Sequence, residues 1–155
     1  MTPSAGPAAS TADKHWLCDV NVLVALALTT HAHHRAAHSA LAALTGTWAT
    51  CPMTEAALFR LLLNPRISGR VVTAAGVRDL LNGMRAEPRW RWVEDSTSLA
   101  TSTIDLSVLQ GHQQVTDLHL VNLAAAAGRV LVTFDAGLVA GLAPSDRKHV
   151  VVLPQ

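Results

Sequence analysis

Along the chain, apolar runs of strand length alternate with longer stretches whose apolar residues recur every three or four positions. Residues 15–18 read as a short buried strand ending at Asp19. Residues 20–28 follow as a helix with Asp19 or Asn21 at its cap, although their apolar density blurs the period. A helix is expected over 31–44, ended by Gly46, and a second strand over 47–51. Pro52 suits the first turn of a helix running through Glu55 to Leu63, and Asn64-Pro65 stops it. Another amphipathic helix spans 73–85. Residues 89–93 alternate Arg with Trp, the mark of a strand near a sheet edge.

Helical spacing of Leu99, Thr103, Leu106 and Leu109 predicts a further helix over 97–109 before Gly111. Residues 116–127 form a helix closed by Gly128. The strand 129–133, a short helical segment near Leu138 and a last strand over 149–153 complete the pattern. Strands that alternate with helices imply an α/β fold with a central, mostly parallel sheet covered on both faces.

Composition adds limits. With 155 residues and 50% hydrophobic content, one domain has enough surface to bury a core without disulfides or structural zinc. Residues 1–13, rich in Ala, Pro, Ser, Thr and Gly, read as a flexible tail ahead of a domain over 14–155. Neither an export signal nor an apolar run of membrane-spanning length occurs, so a cytoplasmic protein without membrane contact is expected. Cys18 and Cys51 lie in apolar stretches without metal-site spacing and read as reduced core thiols. Net charge is +1, which excludes bulk basic attraction to nucleic acid, yet seven arginines fall between Arg60 and Arg91.

The acids are placed more tellingly. Asp19 follows an apolar strand directly, Asp135 follows another two residues on, and Glu55 opens the helix after a third. In parallel α/β sheets the carboxyl ends of strands open toward one crevice, where ligands bind. Asp117, in the first turn of its own helix, can join them there. Any one acid at a helix start is accounted for by capping and the helix dipole. Four together repel, and a hard divalent cation such as Mg²⁺ or Mn²⁺ removes that cost and leaves positions for a phosphate oxygen and a water. Asn21 and Thr133 are polar companions of the first and last acids.

The motifs Leu17-Cys18-Asp19-Val20-Asn21-Val22-Leu23, Thr54-Glu55-Ala56-Ala57-Leu58-Phe59-Arg60 with Asn64-Pro65-Arg66, Val115-Thr116-Asp117-Leu118-His119-Leu120 running into Leu123-Ala124, and Leu131-Val132-Thr133-Phe134-Asp135 with Gly137-Leu138 occur in that order. Taken together, from Trp16 to Leu153, the chain resembles the PIN-domain nucleases and, within them, the VapC toxins of bacterial toxin–antitoxin systems. The resemblance implies a three-layer α/β/α sandwich around a parallel sheet of about five strands. It also implies Mg²⁺ or Mn²⁺ held chiefly by Asp19, Asp117 and Asp135, with Glu55 completing the catalytic site. The implied activity is endonucleolytic cleavage of RNA, transfer or ribosomal RNA above all, silenced by a cognate antitoxin protein. A homodimer is the usual state of the family. Arg60 and Arg66 are the residues best placed for RNA or antitoxin contact.

Rival readings are weaker. A phosphatase with Asp19 as nucleophile wants an acid at position 21, where Asn21 cannot serve as general acid. A non-catalytic RNA- or protein-binding module has no need of all four acids. His34 and His38 stand four apart on a helix, but the intervening Glu of a zinc protease is absent, so they read as solvent-exposed, and His112 and His119 as surface or supporting groups. Trp90 and Trp92 read as core or subunit interface before base-stacking platforms.

Overall fold

A computed structural model describes residues 13–155. The expected tail over 1–13 lies outside the described residues except for Asp13, whose Oδ1 accepts from Thr45 Oγ1 at 3.1 Å. Five strands, β1 (Trp16–Cys18), β2 (Trp48–Thr50), β3 (Trp90–Trp92), β4 (Val130–Thr133) and β5 (Val150–Val152), form one sheet in the order β3-β2-β1-β4-β5. All pairings are parallel, with Leu17 opposite both Ala49 and Leu131. The helices are α1 (Val20–Ala27), α2 (His34–Ala43), α3 (Pro52–Leu62), α4 (Pro65–Ser68), α5 (Ala74–Arg85), α6 (Val115–Ala126) and α7 (Ala136–Ala140). This is the three-layer α/β sandwich expected from the sequence.

Strand alternation divides the core. Trp16, Cys18, Trp48 and Val132 face one side and pack with Val22, Leu23, Leu58, Val77 and Leu81 from α1, α3 and α5. Leu17, Ala49, Leu131 and Val150 face the other, against Leu118, Val121 and Leu123 of α6 and Leu138 of α7. Because strands of a doubly covered parallel sheet are buried on both faces, β1 and β2 are apolar or small throughout. Gly128, at φ 67°, stops α6 where a side chain would be strained, so the chain turns into β4.

The edge placement of the Arg/Trp strand holds, since β3 ends the sheet. Residues 97–109 depart from expectation. Instead of a helix they form two single 3₁₀ turns, Leu99–Thr101 and Leu106–Val108. The cause is local competition: Ser98 Oγ accepts from Ala100 N, Ser102 Oγ donates to Ile104 O, and Asp105 Oδ1 accepts from Ser107 N. Two buried side chains then pin the segment. Asn122 Oδ1 accepts from Thr103 N and Asp146 Oδ2 from Asp105 N, each at 2.8 Å. No helix among the described residues is long and apolar enough to cross a membrane.

Candidate active site

Asp19 caps α1, with Oδ1 accepting from Val20 N at 2.7 Å and Oδ2 from the Thr133 hydroxyl at 2.8 Å. Thr133, the last residue of β4, is fully buried and uses every hydrogen-bonding position of its hydroxyl. It donates to Asp19 and accepts from Asn21 Nδ2 at 2.9 Å and from Asp135 N at 3.1 Å. Asn21 Oδ1 in turn accepts from Phe134 N at 3.2 Å. Asn21 is therefore a brace between β4 and α1, which further disfavours a phosphatase reading that needs an acid there.

Asp135 caps α7 through Gly137 N at 2.8 Å and is exposed, while Asp117 sits half-buried in the first turn of α6. Neighbouring acids act on Asp19 and Asp117. Burial, then Asp19 and Asp135, push the Asp117 carboxyl up from 3.8 to about 6. The Asp19 carboxyl is also raised, by burial and secondarily by Asp135, against the opposing hydrogen bonds from Thr133 and Val20. No lysine or arginine is among the groups that shift either acid. A cleft of ≈ 270 Å³ opens beside them, bounded by Asp117, Asp135, Gln113, Gln114, Leu138 and Leu142.

Glu55 has contacts of its own. Placed in the first turn of α3, after the strand neighbouring β1, it accepts from Thr50 Oγ1 at 2.6 Å through Oε1. Its Oε2 lies 3.6 Å from Arg85 Nη1. Thr50 also accepts from Trp90 Nε1 at 3.0 Å, and the Arg85 guanidinium lies over the rings of Trp90 and Trp92, 4.3 and 5.3 Å from their centroids. Glu55, Thr50, Trp90 and Arg85 thus close a ring of contacts. Arg85, Trp90 and Thr50 were not among the sequence candidates; the available signal was a strand-terminal Thr in both β2 and β4, each serving an acid. Trp90 packs against the core, as expected, and also enters this ring, while Arg85 covers a face of the exposed Trp92.

The remaining candidates divide. Arg60 is exposed and borders a groove of ≈ 590 Å³ with Pro52, Met53, Ala56, Asp95 and Thr116. Arg66 is exposed on α4, away from that lining. Arg89 is structural, donating to Leu41 O at 2.9 Å and pairing with Glu87 at 2.8 Å. Of the two readings of His119, surface or supporting group, the second fits: it is partly buried and meets Asp95 Oδ1 at 2.7 Å. Cys18 and Cys51 are buried free thiols, and burial beside Asp19 pushes the Cys18 thiol up to about 12, so it is no nucleophile.

The donor set admits a hard divalent ion. It consists of carboxylate oxygens with excess negative charge, which suits Mg²⁺ or Mn²⁺ and not a softer ion. Among the described residues no three of His, Cys, Asp and Glu are grouped closely enough to hold a metal ion by themselves.

No protein-family model matches the chain. Ribonuclease VapC38 of Mycobacterium tuberculosis is 44% identical over 123 residues, covering 79% of this chain and 86% of that protein. The chain belongs to the VapC family. Ribonuclease VapC29 of the same organism is 38% identical over 122 residues, covering 79% and 86%. Ribonuclease VapC44 is 31% identical over 142 residues and extends the VapC match to 88% of this chain and 98% of that one. These alignments span too much of each chain to rest on a shared motif alone.

Proposed function

We propose that this VapC-family protein is a Mg²⁺- or Mn²⁺-dependent endoribonuclease, the toxin of a toxin–antitoxin pair. In this reading it acts in the cytoplasm as a homodimer on transfer or ribosomal RNA, and a cognate antitoxin protein silences it. The observation that carries the reading is the gathering of acids at the carboxyl edge of a parallel sheet, where Asp135 raises the carboxyls of Asp19 and Asp117, and Asp19 that of Asp117, without a basic side chain acting on either. The printed names of the relatives, all ribonucleases, agree with it.

In this reading Asp19, Asp117 and Asp135 hold the ion, which when bound neutralises phosphate charge and acidifies a water. Thr133 and Val20 N fix the Asp19 carboxylate in orientation, so little reorganisation accompanies reaction. Glu55, held by Thr50 and Arg85, takes a proton from the attacking water as its oxygen bonds to phosphorus and the P–O bond to the leaving ribose oxygen breaks. The leaving oxygen takes a proton from a solvent water, and Glu55 returns its own to solvent. Arg60, at the rim of the groove, and Arg66 contact RNA phosphates or the antitoxin.

The test is cleavage of a labelled structured RNA pool with Mg²⁺ or Mn²⁺ and with EDTA, alongside Asp19→Asn and Asp117→Asn. Cutting is expected only with the ion, and each substitution should lower it by about 10²-fold or more. RNA binding without cutting, or equal cutting by the variants, overturns the reading in favour of a binding module.

A further inference from the structure

The histidines at the start of α2 take no part in the acidic site; His38 is exposed, as expected from its spacing, and His34 partly so, yet both rings are tied to α1. His34 Nδ1 lies 2.8 Å from Ala25 O, and His38 Nε2 lies 3.0 Å from Leu26 O. Both carbonyls belong to the last turn of α1, where backbone oxygens lack intrahelical partners. A carbonyl oxygen can only accept, so each of those ring nitrogens carries the proton. In the neutral rings the other nitrogen, Nε2 of His34 and Nδ1 of His38, then presents a lone pair.

The two rings stand one helical turn apart, with centroids 4.4 Å apart and planes inclined at 58°. They are therefore not stacked flat against each other. Their proton-bearing nitrogens are both turned toward α1, which leaves the lone pairs on the side away from it. This is the arrangement of imidazole ligands: the unused N–H rests on a backbone carbonyl, which fixes the tautomer and the ring orientation and raises the basicity of the ligating nitrogen.

We propose that His34 and His38 form a binding site for a borderline divalent transition ion, Zn²⁺, Ni²⁺ or Cu²⁺, chelated by Nε2 of His34 and Nδ1 of His38. Imidazole nitrogen favours these ions over Mg²⁺, so the site is chemically distinct from the carboxylate trio. Neither neighbour in the cluster competes for the role: His31 Nδ1 accepts from His33 N, and the His33 ring stacks on Phe134 at 4.6 Å. Among the described residues no third His, Cys, Asp or Glu completes the pair, so water fills the remaining positions. A bound ion spans one turn of α2.

The inference does not depend on the nuclease reading. Tag-free full-length protein is titrated with Zn²⁺ by calorimetry in saturating Mg²⁺, which occupies oxygen-donor sites. Saturable binding of one Zn²⁺ per chain is expected, weakened by about tenfold or more in His34→Gln and His38→Gln, a loss that changes to outer partners of a ligand already produce. His112→Gln should bind as the unsubstituted protein does. Should His34→Gln fail to fold, His38→Gln, at an exposed position, and the Cu²⁺ electron paramagnetic resonance spectrum decide. Nitrogen splitting from two imidazoles supports the site. Absence of saturable Zn²⁺ binding, binding unchanged in His38→Gln, or a Cu²⁺ spectrum without two imidazole nitrogens overturns it.

Discussion

The Thr133 hydroxyl donates to Asp19 Oδ2 at 2.8 Å and so joins two residues 114 positions apart, at the ends of neighbouring parallel strands. This one bond opposes the burial that raises the Asp19 carboxyl. Thr133→Val keeps the shape and removes the bond. The Asp19 carboxyl then rises further, and the acid limb of the cleavage pH profile moves to higher pH, while Thr133→Ser leaves it in place. Asn21 Nδ2 and Asp135 N also lose their acceptor. A stability loss of about 1–3 kcal/mol in denaturant melts is expected for Val.

Asp117 gives a pH dependence with a definite sign in the metal-free protein. Its folded carboxyl keeps its proton up to about 6, whereas in the unfolded chain it ionises near 3.8. Between those values the folded state binds more protons, so stability falls as pH rises through the window and stays lower above it. Asp117→Asn removes the penalty. In EDTA at neutral pH it should stabilise the protein by about 1 kcal/mol, a figure discounted for the half-exposed position, and by nothing below the lower value. A variant no more stable than the parent at neutral pH would contradict the coupling.

Arg85 tests whether Glu55 needs its ring of contacts. Arg85→Ala is expected to lower kcat by about tenfold with KM little changed, the effect of a misplaced catalytic group. Arg85→Lys restores part of the rate through the ion pair with Glu55 but not the planar stacking on Trp90 and Trp92. Near-ultraviolet circular dichroism should change in both variants and the far-ultraviolet spectrum in neither. A rate unaffected by Arg85→Ala would remove Arg85 from the mechanism.

Gly46 is required by close approach and not by its dihedral angles. A Cβ there would overlap the Lys14 carbonyl oxygen just before β1, with His15 Nδ1 at 3.2 Å. Backbone cannot yield as a flexible side chain can. Gly46→Ala should therefore cost about 1–3 kcal/mol in thermal or denaturant unfolding. Gly83→Ala, where the added methyl meets nothing within 4 Å, serves as the contrast and should be neutral or stabilising in its helix.

Much of this arrangement was legible in the sequence because it follows from local rules. The strands before Asp19, Glu55 and Asp135 are apolar runs ended by polar residues, and the helices they lead into start at a cap or a proline. Residues 97–109 misled because the spacing of Leu99, Leu106 and Leu109 imitates a helix. Ser98, Ser102 and Asp105 win the backbone for themselves, and the decisive anchors, Asn122 and Asp146, lie far along the chain. The Arg85–Glu55 pair and the role of Thr50 depend on the side-by-side placement of β2 and β3, which no periodicity encodes. The hydrogen bonds of His34 and His38 were hidden for the same reason, since their partners are carbonyls of another helix.

The central position of β1 has a consequence for how the protein is made. The first strand to leave the ribosome must wait for β4, the fourth, before its second edge is paired. Synthesis runs from the amino end, and contacts so distant in sequence form late. A nascent or prematurely terminated chain that stops short of residue 133 has Asp19, Glu55 and Asp117 but lacks the Thr133 hydroxyl and Asp135 that complete their surroundings. The order of strands in the sheet therefore ties the gathering of the acids to the late part of translation.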